Sequence, residues 1–243
     1  MRRGYYDTEK VLRKTRQSLV QAIKTCGKNP VITEIKYASP SSGKIRGFES
    51  PLKIARAMLS GGACALSILT DPDSFRGGLN ILSEVAEMVH VPVIMKDIII
   101  SAKQLKAGAQ VGADAVVLIS ELFTNKMTEL ELDGMISEAR KLGMEVLVEA
   151  NGALEFEKVR NQKPDLYGIN NRNLLTFQID LGTTERILAK TRPLDRPLVS
   201  ESGIDSAGDI RRLKAGGAGA FLVGTSIMKS PSVEGKVREL VNA

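Results

Sequence analysis

Eight short runs rich in Val, Ile and Leu recur along the chain at nearly even intervals, and no other feature constrains its fold as much. They are Val31–Ile35, Ala63–Leu69, Val91–Met95, Ala113–Ile119, Met144–Val148, Leu166–Ile169, Pro197–Val199 and Gly219–Val223. Most lack apolar–polar alternation, which is how strands covered on both faces of a parallel sheet read. Their starts lie about 27 residues apart, right for one strand–helix unit. The intervening segments carry helix signals. Ser50 precedes Pro51 as an N-cap with Pro at the first helical position, Ser101 with Gln104 and Thr128 with Glu131 fit capping boxes, and Ser206 can cap the helix after it. Gly108, Gly112, Gly143 and Gly216 fall where left-handed C-caps are wanted.

Eight such units predict an α/β fold, a (βα)8 TIM barrel, with residues 1–243 forming a single domain. An open doubly wound sheet would usually carry G-x-G-x-x-G after its first strand, and none occurs there. Residues 7–26 read as an extra N-terminal amphipathic helix that could cap the barrel floor or reach toward the active face. A chain of 243 residues, 43% of them hydrophobic, can bury a core without a disulfide or metal staple. Its two cysteines, Cys26 and Cys64, make neither a disulfide framework nor a metal site, and Cys64 reads as a small buried hydrophobe. No secretory signal follows Met1-Arg2-Arg3, and no run approaches the length of a membrane span, so a cytoplasmic protein is expected. The net charge of +6 comes from basic residues scattered among acidic ones, without the tract or aromatic interleaving of a nucleic-acid surface. The expected partner is a small phosphorylated substrate, with no nucleic acid, no membrane, no cofactor and no metal. A monomer is expected.

A barrel builds its active site at the C-terminal ends of its strands. Those ends hold Glu34-Ile35-Lys36, Thr70-Asp71, Lys96-Asp97, Ser120-Glu121, Glu149, Asn170-Asn171-Arg172, Ser200-Glu201-Ser202-Gly203 and Gly224-Thr225. Glu34 and Lys36 are two apart and share a strand face. Ionisable groups at the ends of apolar strands are costly unless paired, so Lys36, Lys96, Glu34, Glu149 and Glu201 together predict a catalytic cluster rather than isolated salt bridges. Ser202-Gly203 and Gly224-Thr225 stand after strands seven and eight, where this architecture cradles phosphate. Residues 39–49, glycine-bearing and basic, have the makings of a lid. His90, the only histidine, belongs to the opposite side of the barrel. Acid–base work therefore falls to Lys and Glu.

The ordered set Glu34-Ile35-Lys36, Ser39-Pro40-Ser41, Met95-Lys96-Asp97, Val148-Glu149, Gly168-Ile169-Asn170-Asn171-Arg172-Asn173-Leu174, Ser200-Glu201-Ser202-Gly203-Ile204 and Val223-Gly224-Thr225 resembles the indole-3-glycerol phosphate synthase family. Asp71-Pro72-Asp73-Ser74-Phe75 fits the loop after the family's second strand. The resemblance implies a carboxy-lyase of tryptophan biosynthesis. It would convert 1-(2-carboxyphenylamino)-1-deoxyribulose 5-phosphate to indole-3-glycerol phosphate, carbon dioxide and water, without cofactor or metal. It implies Lys96 as general acid, Glu149 as its proton partner, Glu34 as acid–base residue of the dehydration, and Lys36 as the group that pairs with the substrate carboxylate. Ser39, Phe75, Asn170, Arg172 and Glu201 would bind substrate, and Ser202, Gly203, Gly224 and Thr225 would hold its phosphate. Ile98 stands where many relatives have Phe, and Thr225 where Ser is common. Two other readings are a barrel that only binds a phosphorylated ligand and phosphoribosylanthranilate isomerase. The latter relies on a cysteine at strand one and an aspartate at strand six, where this chain has Glu34 to Lys36 and Asn170.

Overall fold

The computed structural model describes residues 4–8, 10–12, 15–191 and 193–243. Eight parallel strands, Val31–Ile35, Ala65–Leu69, Val93–Lys96, Ala115–Ile119, Glu145–Ala150, Leu166–Asn170, Leu198–Glu201 and Ala220–Val223, close into a barrel, the last pairing with the first. We number them one to eight. A helix follows each on the outside: Pro51–Ser60, Leu79–Met88, Ala102–Gln110, Leu132–Lys141, Ala153–Gln162, Gly182–Thr191, Ala207–Gly216 and Val233–Val241. This is the TIM barrel that the spacing predicts. Among the described residues no helix is long and apolar enough to cross a membrane.

The two-residue period of a strand decides what fills the interior. Ile32, Ile94, Leu147, Leu166 and Val199 point inward and pack with Ala65, Ala115, Val117, Ala220 and Leu222. Two or four residues further along the same faces come Glu34, Lys96, Glu149, Asn170 and Glu201. One face of each strand thus carries core at the bottom and chemistry at the top.

The N-terminal segment departs from the expected helix over 7–26. Among its described residues only Leu19–Thr25 is helical, started by Ser18, whose hydroxyl accepts a hydrogen bond from Gln21 N. Residues 9, 13 and 14 of that stretch, like Met1 to Arg3, lie outside the described residues. Leu19 and Ile23 plug the barrel floor. The helix starts late because Arg16 and Gln17 are held by groups of the barrel. Arg16 caps the Ala102–Gln110 helix at the carbonyls of Ala109 and Ala113, and Gln17 N donates to Asp114. Tyr5 and Tyr6 lie at the other end of the barrel. There Tyr5 OH donates to Thr70 O, and Tyr6 OH to the buried carboxylate of Asp97.

Three capping expectations need correction. Thr128 and Glu131 form no capping box. Thr128 bonds to Leu130 O, and the chain here is bent so that Glu129 caps the Ala102–Gln110 helix through Ser101 Oγ and Ala102 N. Gly108 lies inside that helix, against Met95, and the left-handed cap after Ala207–Gly216 is Gly217, not Gly216. Ser50 occupies its N-cap position without a side-chain bond. The box at Ser101, the cap at Ser206 and the left-handed Gly112 and Gly143 stand as expected, and Asp209 turns the Ser206 cap into a box as well. Ser120 and Glu121 begin the short helix Ser120–Thr124. His90 is exposed just before strand three, on the N-terminal side, and Cys64 is half-buried against Val31 O with its thiol pushed up to about 12 by burial.

Candidate active site

All thirteen residues expected to form the site line one cavity of about 1010 Å³ at the C-terminal mouth of the barrel. Strand register brings them together. Glu149 lies beside Gly168, Asn170 beside Glu201, and Leu69 beside Lys96. Lys96 Nζ stands 2.9 Å from Glu149 Oε2 and 3.7 Å from Glu201 Oε2. Asn170 Nδ2 donates to the other Glu149 oxygen at 3.2 Å. Across the mouth, Lys36 Nζ pairs with Glu34 Oε1 at 2.7 Å, as their spacing on one strand face requires.

Two glycines make this crowding possible. A Cβ on Gly168 would stand 2.7 Å from Glu201 Oε1 and 3.1 Å from Glu149 Cα, so only a residue without a side chain fits between the two glutamates. A Cβ on Gly224 would meet Glu34 Oε1 at 2.6 Å. Gly224 therefore seats the Glu34 carboxylate as well as lining the cavity, a second duty that the sequence does not disclose.

The charges act strongly on one another because they are shielded from water. Burial alone would lower the Lys96 pKa, but the carboxylates of Glu149, Glu201 and Glu34 outweigh it and hold the ammonium above the ordinary lysine value. Lys96 is thus a charged donor aimed into the cavity. Glu201 moves the other way from a typical paired carboxylate. Burial, then the neighbouring Glu149 carboxylate, push it well above the usual range, and neither of its oxygens accepts a hydrogen bond from a described residue. Asp97 is also raised by burial, despite bonds from Thr70 Oγ1 at 2.5 Å and Tyr6 OH at 2.9 Å. Among the described residues no group of three or more His, Cys, Asp or Glu is arranged to hold a metal ion.

The rest of the mouth is built from loops. Ser202 adopts φ +67°, and Gly203 φ +80°, directly after strand seven. Gly224 is the residue before the short helix Thr225–Lys229, and Ser226 Oγ donates to Ile204 O, tying turn eight to turn seven. The loop after strand one contains a small hairpin, Ala38–Ser39 against Gly43–Lys44, and Ser39 Oγ accepts from Ser42 N. Arg46 bonds this loop to the carbonyls of Met228 and Ser230. Phe75 lines the cavity from the loop after strand two, where Asp71 accepts bonds from Asp73 N and Ser74 N. Arg172 donates to Phe177 O.

Several cavity residues carry no mark in the sequence, among them Lys229, Phe177 and Ile179. Asn151 was also missed. It donates to the carbonyls of Asn170 and Arg172 and so shapes the site from strand five. Its signal was present, since Asn151 comes two residues after Glu149. Tyr6 had none, because its partner is 91 positions away.

A sequence profile described as indole-3-glycerol phosphate synthase matches residues 4–240. The indole-3-glycerol phosphate synthase of Haloarcula marismortui is 38% identical over 245 residues, covering 100% of this chain and 88% of that protein. That of Geobacillus thermodenitrificans is 41% identical over 211 residues, covering 86% and 80%. Among solved structures, thiamine phosphate pyrophosphorylase from Pyrococcus furiosus superposes with a TM-score of 0.62 at 14% identity, covering 87% of this chain and 93% of that one, a likeness of fold alone. The profile spans nearly the whole chain, the relatives share about two residues in five with it, and the chain belongs to the indole-3-glycerol phosphate synthase family.

Proposed function

We propose that this cavity closes the indole ring of 1-(2-carboxyphenylamino)-1-deoxyribulose 5-phosphate, releasing carbon dioxide and water. The observation that carries the reading is the lysine–glutamate cluster of Lys96, Glu149 and Glu201 at the closed end of a cavity large enough for such a substrate. The substrate has a carboxylate at one end and a phosphate at the other. Lys36, with Ser39 and Arg172, receives the carboxylate end. The turn at Ser202-Gly203 and the one at Gly224-Thr225 receive the phosphate through backbone N–H groups. Phe75 contributes an apolar wall.

As the ring carbon bonds to the ketone carbon, negative charge grows on the ketone oxygen, and Lys96 supplies the proton that makes it a hydroxyl. Glu149, 2.9 Å away, orients the ammonium and takes part in returning its proton. Loss of carbon dioxide restores the aromatic ring. The hydroxyl then leaves as water while the neighbouring carbon loses a proton, with Glu34 as acid–base group. Asn170 and Glu201 orient the substrate's hydroxyl and amine. Acid–base demand is met by Lys and Glu without a cofactor. Every contributing group comes from one chain, so a monomer suffices, and a cytoplasmic setting suits a biosynthetic enzyme of this kind. Purified protein mixed with the carboxyphenylamino substrate should develop indole fluorescence and release carbon dioxide. Folded protein that gives neither would overturn the reading.

A further inference from the structure

Behind the mouth, on the side away from the cavity, lies a buried polar knot that the reaction does not use. Asn171 is 1% exposed. Its Nδ2 donates to Ser200 Oγ at 3.0 Å, to Glu201 O at 2.9 Å and to Ser202 O at 3.2 Å. Its Oδ1 accepts from Thr184 N at 3.2 Å and Thr184 Oγ1 at 2.8 Å, and Thr184 Oγ1 lies 2.8 Å from Ser200 Oγ. Thr184 and Ser200 are fully buried. The side-chain amide is therefore saturated, and its donor end is spent on two successive backbone carbonyls of the turn after strand seven.

Those carbonyls matter because of what shares their peptide planes. A trans peptide directs its C=O and N–H to opposite sides. Turning the carbonyls of Glu201 and Ser202 inward to Asn171 turns the N–H groups of Ser202 and Gly203 the other way. Ser202 and Gly203 line the cavity, whereas Asn171 does not. The same turn places Ser202, a residue with a side chain, at φ +67°. That left-handed conformation is disfavoured for L-residues and persists only where the surroundings impose it. Asn171 bonds to the carbonyls on either side of Ser202, through its side chain and, at Glu201, through its backbone N–H as well.

We infer that Asn171, oriented by Thr184, is a positioning residue for the phosphate end of the substrate: it holds the Ser202-Gly203 turn with its N–H groups facing the anion. This rests on the proposed assignment of that turn to phosphate. Lys96, Glu149 and Glu34 are placed by their own strands, so the clamp bears on binding and not on proton transfer. The specific signature is a loss confined to KM and to phosphate affinity.

The test compares wild type, Asn171→Asp and Thr184→Val in steady-state turnover, with inorganic phosphate as competitive inhibitor. Asn171→Asp faces the two carbonyls with an acceptor in place of a donor. Thr184→Val keeps shape and burial while removing only the hydroxyl that fixes the amide, and it decides the matter if the first variant does not fold. Losing one partner in a buried network predicts a rise of about 5- to 50-fold in both KM and the phosphate inhibition constant, with kcat nearly unchanged. Unchanged KM and phosphate inhibition in folded Thr184→Val, or a fall in kcat alone, would overturn the inference. Wild type that phosphate does not inhibit competitively would overturn the phosphate assignment itself, a separate result.

Discussion

Glu201 sits in an environment far from that of an ordinary surface glutamate. It is buried, lies 3.7 Å from the nearest lysine, and is pushed up first by burial and then by Glu149. An acid whose folded pKa exceeds its unfolded value costs the fold nothing below the usual carboxylate range, and progressively more as pH rises through that range toward the folded value. Glu201→Gln removes that cost. Thermal melts should therefore show a variant-minus-wild-type difference in Tm that grows more favourable from about pH 4 upward. A constant or shrinking difference would mean that Glu201 is ionised and well paired in the native protein. The charged cluster was legible residue by residue, because lysines and glutamates at the ends of apolar strands have few reasons to be there. The resemblance implied Glu149 as the partner of Lys96, and that pair forms; what could not be read was that Glu201 also stands 3.7 Å from Lys96 without a hydrogen bond from a described residue. That depends on angstrom distances that period-two placement does not specify.

At the scale of the element, strand ends carry a geometric demand besides their chemistry. Gly168 looks in sequence like a weak point in strand six, yet it is the gap into which Glu149 and Glu201 fit. Gly168→Ala should force the two carboxylates apart, cost about 1–3 kcal/mol of stability in chemical denaturation, and lower kcat. Wild-type turnover in that variant would remove the glycine from the site's construction. The elements themselves were legible because parallel strands covered on both faces leave uninterrupted apolar runs. The N-terminal segment was misread for the opposite reason. Its apolar residues do suit a helix, but Arg16 and Gln17 bond to groups about 95 positions away, and such long-range partners override local periodicity. Tyr6 belongs to the same segment. Tyr6→Phe would leave the raised, buried Asp97 with one donor fewer, at a cost of about 1–3 kcal/mol seen as a lower Tm.

At the scale of the molecule, the barrel separates stability from chemistry along its axis. The floor is closed by Leu19 and Ile23 over the inward apolar layer, whereas the mouth gathers the buried pairs of Lys36 with Glu34 and of Lys96 with Glu149. Leu19→Ala should cost roughly 2–5 kcal/mol and leave kcat of the folded enzyme unchanged. A matching loss of kcat would show that the two ends are coupled. The (βα)8 architecture was legible as a whole because it is periodic, and the site was legible because the architecture dictates where a site must be. The polar layer behind the site, with Asn171 and Thr184, was not, since nothing in sequence separates a buried asparagine that clamps a turn from one that binds a ligand.

In the proposed reaction Lys96, held charged between glutamates, is the proton donor for ring closure. Turnover of the carboxyphenylamino substrate by Lys96→Met, followed by indole fluorescence and set against wild type, tests it most directly. Loss of a general acid predicts a rate about 10²- to 10⁴-fold lower in protein that remains folded and still binds the substrate. Turnover within a few fold of wild type would contradict it.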